Sequence, residues 1–260
     1  TLNEAQRAAV CGPAGHQLVL AGAGSGKTRV LVHRVAWLVK VEGVSPHSIL
    51  AVTFTNKAAR EMRGRLEELL AFPTRGMWVG TFHGLAHRLL KAHWREAGLP
   101  QSFQILDSDD QLRVIKRIMR EQGVDDSKWP PRQVQGFVNA QKDEGLRAGS
   151  IEDWGDPYQR VMLQLYRAYE EQCGRLGLVD FGELLLRSHE LWLNQPQLLS
   201  HYQERFRFML VDEFQDTNTI QYAWLRVLAG TDIPVVAVGD DDQSIYGWRG
   251  AKIENIQRFA

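Results

Sequence analysis

Apolar and polar positions in this chain fall into two kinds of block. The first kind is short and unbroken: Leu18-Val19-Leu20-Ala21, Ile49-Leu50-Ala51-Val52-Thr53-Phe54, Met77-Trp78-Val79, Phe208-Met209-Leu210-Val211 and Pro234-Val235-Val236-Ala237-Val238. Runs of this length, apolar at successive positions, predict strands covered on both faces. The second kind repeats at helical spacing. Leu2 to Val10 reads as a short helix with Asn3 as its cap, and Lys27 to Lys40 as a longer one. After Thr55 and Asn56, which can cap a helix, Ala58, Met62, Leu66 and Leu69 form one stripe, and Thr81 opens a helix through about Trp94. Strand and helix alternate, which predicts an α/β fold: a parallel sheet with helices on both faces.

The alternation stops in the middle. From about Leu85 to Arg205 the pattern shows helices and loops and no strand. Leu112 to Arg120 is amphipathic, with Arg113, Lys116, Arg117 and Arg120 on one face and Leu112, Ile115 and Met119 on another. Asp109 and Asp110 suit the positive end of that helix. Trp129-Pro130-Pro131 reads as a turn, Asp156-Pro157 opens a long helix to about Cys173, and Asp180 caps Phe181 to Leu193, which stops near Pro196. The expected organisation is an α/β domain over 1–86 and 205–260 that carries an inserted all-helical subdomain over 87–204.

Composition changes this picture little. The 260 residues are 44% hydrophobic, enough for sizeable cores, and 31 basic residues balance 31 acidic ones. Bulk charge therefore gives no support to a nucleic-acid partner, and any such site must be local. The two cysteines, Cys11 and Cys173, have no metal-like spacing and read as reduced core thiols of a cytosolic protein. No apolar run has the length of a membrane span and no signal peptide opens the chain, so no membrane partner is expected.

Candidate chemistry lies where predicted strands end. After Leu18–Ala21 comes the loop Gly22-Ala23-Gly24-Ser25-Gly26, then Lys27-Thr28 at a helix start. Small residues let consecutive backbone N–H groups curl round a phosphate chain, and the helix N-terminus adds partial positive charge. Lys27 would reach the β- and γ-phosphates and Thr28 would offer its hydroxyl to Mg²⁺. The usual pattern opens on Gly where this chain has Ala21. A flexible hairpin loop is the bland alternative, but strand and helix flanks are both present.

The run Met209-Leu210-Val211 ends in Asp212-Glu213, which puts two carboxylates at the carboxyl edge of the sheet. Asp212 would hold Mg²⁺, and Glu213 would orient and deprotonate an attacking water. An exposed turn is the alternative. A third segment follows the last strand, Gly239-Asp240-Asp241-Asp242-Gln243-Ser244-Ile245-Tyr246-Gly247-Trp248-Arg249-Gly250. Gln243 can sense the γ-phosphate or the attacking water. Tyr246 and Trp248 are large aromatics in a glycine-flanked loop, of the kind on which unpaired bases stack. Trp248 as a plug at a domain junction remains open.

Taken in order, these blocks resemble the UvrD/Rep/PcrA group of superfamily-one DNA helicases. The resemblance rests on Leu2-Asn3-Glu4-Ala5-Gln6, the Ala21–Thr28 loop, Thr53-Phe54-Thr55-Asn56-Lys57-Ala58-Ala59 with Glu61-Met62, Gly80-Thr81-Phe82-His83, Val211-Asp212-Glu213-Phe214-Gln215-Asp216-Thr217 and the Gly239–Gly250 segment. It runs the whole length, including Gln141-Lys142-Asp143-Glu144-Gly145 in the insert, and Ala21 is accepted within the group.

The resemblance implies a RecA-like P-loop NTPase domain that uses ATP and Mg²⁺ to drive 3′-to-5′ translocation on single-stranded DNA and to unwind duplexes, in DNA repair. It implies that Gln6 reads the adenine edge, that Arg29 packs on the adenine face, and that Gln243 and Arg249 link nucleotide to strand. It sets Phe54, Thr81, His83, Tyr246 and Trp248 in or beside the single-strand groove. On the residues alone, Phe54 as core and His83 as a helix-start hydrogen-bonder stay open. The implied partners are single-stranded DNA, single/double-strand junctions, repair proteins and a second RecA-like domain, whose motifs this chain lacks; the implied location is the bacterial cytoplasm, on DNA. Two other classes remain: a nucleotide-dependent single-strand DNA-binding module that does not translocate, and a P-loop small-molecule kinase, which leaves Trp248 unexplained.

Overall fold

The structure, a computed structural model, describes residues 2–12, 17–21, 26–71 and 73–240; for 17–21, Lys27 and Asp240 it describes the backbone alone. The described residues up to Leu85 and from Trp192 onward form one compact unit, and Ala86–Leu191 form a second.

The first unit is built on a five-stranded sheet of β1 (Gln17–Ala21), β2 (Ile49–Thr53), β3 (Trp78–Thr81), β6 (Phe208–Val211) and β7 (Val235–Asp240). Its order is β1-β7-β6-β2-β3, with every pair parallel. Alternate strand residues pack on α2 (Lys27–Lys40) and α3 (Asn56–Leu70): Ile49, Ala51, Leu210, Val236 and Val238 share one core with Leu31, Val35, Met62 and Leu66. On strands buried on both faces such a core leaves no polar alternation, which is why they read as continuous apolar runs. Aromatic side chains form a second cluster. Trp78 meets Tyr202 and Phe206 edge-on at 5.6 and 5.5 Å, and Trp224 of α10 (Thr219–Ala229) lies near Phe82 and Trp192.

Helix ends obey local rules. Asn3 caps α1 (Glu4–Cys11) in a capping box with Gln6, Thr55 accepts from the Ala58 N–H before α3, and Asn218 and Gln221 form a second box before α10. Proline at the first helical position was the missed signal. The helix expected from Phe181 does end before Pro196, at Asn194, and a turn does precede Pro131, but Pro131 also opens α6 (Pro131–Asp143) and Pro196 opens α9 (Pro196–Arg205), two helices the sequence reading does not include. The missing N–H of proline has no intrahelical partner there anyway, so the ring costs nothing. The sequence reading places 192–204 in the insert, but Trp192 and Tyr202 pack together at 5.4 Å in the first unit.

The second unit corrects one expectation outright: the insert is not all-helical. β4 (Gln104–Leu106) and β5 (Leu178–Asp180) form a two-stranded parallel ladder. Three residues per strand are too few to show a period of two in the sequence. Around it α5 (Ser108–Glu121), α6 and α7 (Pro157–Leu176) bury Ile115, Met119, Val138, Met162 and Tyr166. On α5 Leu112, Ile115 and Met119 are inside, while Arg113, Lys116, Arg117 and Arg120 are exposed. Arg113 pairs with Asp110 at 2.8 Å and Arg117 with Glu121 at 3.0 Å.

The same unit holds a buried ionic network. The Lys142 ammonium, 2% exposed, lies 2.8 Å from Asp180 and 3.0 Å from Glu183. Arg147 and Arg187 reach Glu183 at 2.7 and 2.9 Å, and Tyr169 donates its hydroxyl to Asp180. Burial alone would raise the Glu183 carboxyl, but Lys142 and Arg147 beside it hold it well below the usual carboxylate range. Cys173 is buried, with burial pushing its thiol up to about 12, and Cys11 is exposed; neither is in a disulfide. Among the described residues no helix is long and apolar enough to cross a membrane.

Candidate functional site

The site lies at the carboxyl edge of the five-stranded sheet. Gly26, in the left-handed region at φ 77°, turns the chain into α2 and supplies no side-chain cap. A glycine adopts that conformation without the steric cost a Cβ brings. The first-turn N–H groups of α2 thus have no capping side chain at Gly26, an arrangement suited to an anion. Thr28, in that turn, donates its hydroxyl to Asp212 Oδ2 at 3.2 Å.

Asp212 follows the last residue of β6 and is 2% exposed. Its backbone N–H continues the ladder to the Val52 carbonyl at 2.9 Å, and its Oδ1 accepts from the Glu213 N–H at 3.0 Å. The carboxylate is therefore fixed in orientation while facing the start of α2. Glu213 is in the left-handed region, at φ 52° and ψ 44°, a costly conformation for a residue with a Cβ. Its side chain is half-buried and accepts from the Gln215 amide. Gln215 in turn presses on Gly239: a Cβ added there would lie 2.6 Å from Gln215 Oε1. Sequence reasoning gave Gln215 and Gly239 no role, although both stand inside the quoted blocks. A glycine near the end of an apolar strand was the signal the sequence carried.

Gln6 stands where the structure brings α1 to Gly26. Its Oε1 accepts from the Asn3 N–H at 3.0 Å, and its Nε2 lies 3.0 Å from the position of a Cβ on Gly26. Arg29 is exposed and lines a cleft of about 430 Å³ with Gly26, Val32, His33, Arg65, Glu68 and Leu69. The loop residues Gly22, Ala23, Gly24 and Ser25 lie outside the described residues, as does the Lys27 side chain. So do Gln243, Tyr246, Trp248 and Arg249.

The other positions expected near a strand of DNA fall on the same edge. Thr53 and Thr81 are ladder partners at the ends of β2 and β3. Phe54, next along, is half-buried with its ring 5.2 Å from that of Phe82. The Thr81 hydroxyl is 7% exposed by residue and accepts from the Gly84 N–H at 2.9 Å, capping α4 (Phe82–Ala92). His83 is half-buried in the first turn of α4, and burial lowers its pKa below the usual histidine value.

A glycine-turned helix start, a threonine against a buried aspartate and a strained glutamate after it agree with what the sequence is similar to. Residues 2–260 match the profile of the UvrD/REP helicase N-terminal domain. The chain belongs to that family. It is 64% identical over 259 residues to DNA helicase II of Escherichia coli, a match that takes in 100% of this chain and 36% of that protein. It is 58% identical to DNA helicase II of Haemophilus influenzae and 40% identical to the ATP-dependent DNA helicase PcrA of Staphylococcus aureus, with 99% of this chain and 36% of each relative covered. The chain thus spans about a third of the length of these relatives.

Proposed function

We propose that this chain is the nucleotide-binding portion of an ATP-driven, 3′-to-5′ single-stranded-DNA translocase and helicase that unwinds duplex DNA, in DNA repair in the bacterial cytoplasm. The observation that carries the reading is the Thr28–Asp212 hydrogen bond at the sheet edge, with Glu213 held in a strained conformation beside it. In the family, nucleotide use is general, and the relatives' names specify ATP and DNA.

The oxygen donors fit a hard divalent cation. Thr28 Oγ1 and the Asp212 carboxylate are neutral and anionic oxygens, the set that Mg²⁺ takes together with phosphate oxygens and water. Bound there, the cation would neutralise charge on the phosphates as it develops. Thr28 and Asp212 would hold and orient it. Glu213 takes the proton of the attacking water, and Gln215 keeps the Glu213 carboxylate in place. Lys27 binds the β- and γ-phosphates, Gln6 and Arg29 the adenine, and Gln243 and Arg249 relay the state of the nucleotide. Phe54, His83, Tyr246 and Trp248 line the single-strand track, with Thr81 shaping the turn beneath it. A second RecA-like domain completes the site and the track.

The test measures Mg-ATP binding and hydrolysis with and without single-stranded DNA. The chain should bind Mg-ATP, and Lys27→Ala should abolish that binding at ordinary concentrations with the fold intact. An affinity within about twofold of wild type, a loss of only ~0.4 kcal/mol, overturns the phosphate assignment. DNA that binds without any effect of nucleotide would favour a non-translocating binding module.

A further inference from the structure

One buried side chain at this edge carries a hydroxyl left unpaired among the described residues. Thr53 closes β2, is 1% exposed, and its hydroxyl has no hydrogen-bond partner among the described residues. Buried hydroxyls are paired in nearly every native structure, because leaving one unpaired costs stability. Val at this position would fill the same volume and suit the strand equally well. A threonine that gains nothing in packing and carries an unpaired oxygen points to a partner from outside the core.

Its surroundings identify that partner's chemistry. Ile49 and Ala51 pack on α2 and α3, and strand alternation puts Thr53 on the same face. The ladder sets Ala51 opposite Leu210 and Val52 opposite Val211. One step further, Thr53 stands beside Asp212, whose N–H bonds the Val52 carbonyl. Asp212 shares the face of Phe208 and Leu210 by the same alternation and meets Thr28 there. Three oxygen-bearing side chains, at the start of α2, the end of β2 and just after β6, therefore share one face at one edge of the sheet. Mg²⁺ keeps several waters when phosphate and one or two protein oxygens bind it, and those waters need acceptors and fixed directions.

We propose that Thr53 is a positioning residue of the Mg-nucleotide site, its hydroxyl hydrogen-bonding the hydration shell of the divalent cation held by Thr28 and Asp212. This rests on the function proposed above. It makes the position a compromise: Thr53 weakens the nucleotide-free fold and strengthens the loaded one.

The experiment compares wild type, Thr53→Val and Thr53→Ser, with two readouts. One is the melting temperature without nucleotide. The other is the Mg²⁺ concentration that half-saturates ADP binding, checked with Mn²⁺ by its EPR signal and against ADP binding in EDTA. Thr53→Val should melt at or above wild type, bind ADP unchanged in EDTA, and need about five- to tenfold more Mg²⁺. Thr53→Ser should restore the Mg²⁺ requirement to within about twofold, since it keeps the hydroxyl. If wild-type binding depends on Mg²⁺ and Thr53→Val shifts it less than about twofold, the Thr53 assignment alone falls. A clear drop in melting temperature for Thr53→Val also overturns it, because the hydroxyl then has a partner in the chain. If wild type binds ADP equally with and without Mg²⁺, the proposed site falls and the Thr53 assignment with it.

Discussion

Thr28 and Asp212 are 184 residues apart in the chain, and the hydroxyl of one lies 3.2 Å from the carboxylate of the other. Parallel topology produces this meeting. β1 leads into α2, β6 ends one residue before Asp212, and β7 lies between them in the sheet with all three strands pointing the same way. Every strand therefore delivers its following residues to one edge, and the helix that begins there brings its N-terminus with it. The hydrogen bond fixes the carboxylate but does not neutralise it.

That relationship yields a first prediction. Asp212→Asn keeps the size of the side chain and a bond with Thr28 but removes the charge. Nucleotide affinity in EDTA should stay within about twofold, while the Mg²⁺-dependent part should fall at least about tenfold, or ~1.4 kcal/mol. Fluorescent-nucleotide titrations at several Mg²⁺ concentrations separate the two. Equal losses in both conditions would give Asp212 a structural role only.

Glu213 offers a second. Its left-handed backbone costs about 1 kcal/mol or more that glycine would not incur. Glu213→Gly should therefore match or exceed the wild-type stability in urea while losing hydrolysis. In the full-length protein, Glu213→Gln keeps the strain and the hydrogen bond, and should bind Mg-ATP normally but hydrolyse it at least about a hundredfold more slowly. Single-turnover hydrolysis of radiolabelled ATP gives the rate. Near-normal turnover in Glu213→Gln would move the base to another carboxylate.

The third follows from Gly239. An alanine there would meet Gln215 Oε1 at 2.6 Å, so the amide must swing away from Glu213. Gly239→Ala should slow hydrolysis about tenfold or more with little change in Mg-ATP affinity, at a cost in stability of about 1–3 kcal/mol. Gln215→Ala should do the same to the rate. Because both act through one contact, the double variant should be no slower than the worse single one. Additive losses would show that the two residues act separately.

How far the sequence could be read follows from the range over which each signal acts. Short apolar runs announced all five strands of the main sheet, and capping residues such as Asn3, Thr55 and Asp156 marked helix starts, because both depend on neighbours a few residues away. β4 and β5 were illegible: their pairing joins residues more than seventy positions apart over three-residue strands. The helices that Pro131 and Pro196 open were missed because proline both stops and starts helices. At the site, Thr28, Asp212 and Glu213 stood out by residue type and position. Gln215, Gly239 and Thr53 did not, since their roles arise from contacts across strands. The buried Lys142 was invisible for the same reason, for a lysine in a helix normally reads as surface.

The buried network around Lys142 gives the last prediction, concerning the second unit alone. Lys142 serves two carboxylates, at 2.8 and 3.0 Å, in a setting from which water is excluded. Burial by itself would lower the Lys142 ammonium, but Glu183 and Asp180 raise it above its ordinary value. Its contribution to stability is therefore complete at neutral pH and lost only in strong alkali. For Glu183 the sign reverses. Its carboxyl is depressed in the folded chain, so it stabilises at neutral pH, and that contribution declines as pH falls below the ordinary carboxylate range. Lys142→Met fills a similar volume but leaves Asp180 and Glu183 short of a cation. Unfolding in urea at pH 7 should reveal a loss of roughly 3–5 kcal/mol, the usual cost of breaking a buried pair from one side. The acid-unfolding midpoint should also rise, because Glu183 retains Arg147 and Arg187 but takes up its proton more readily. Adding Asp180→Asn removes one of the stranded charges and should recover part of the loss at pH 7. A double variant as unstable as Lys142→Met, with an unmoved acid midpoint, would show that Lys142 acts through packing and not through its charge.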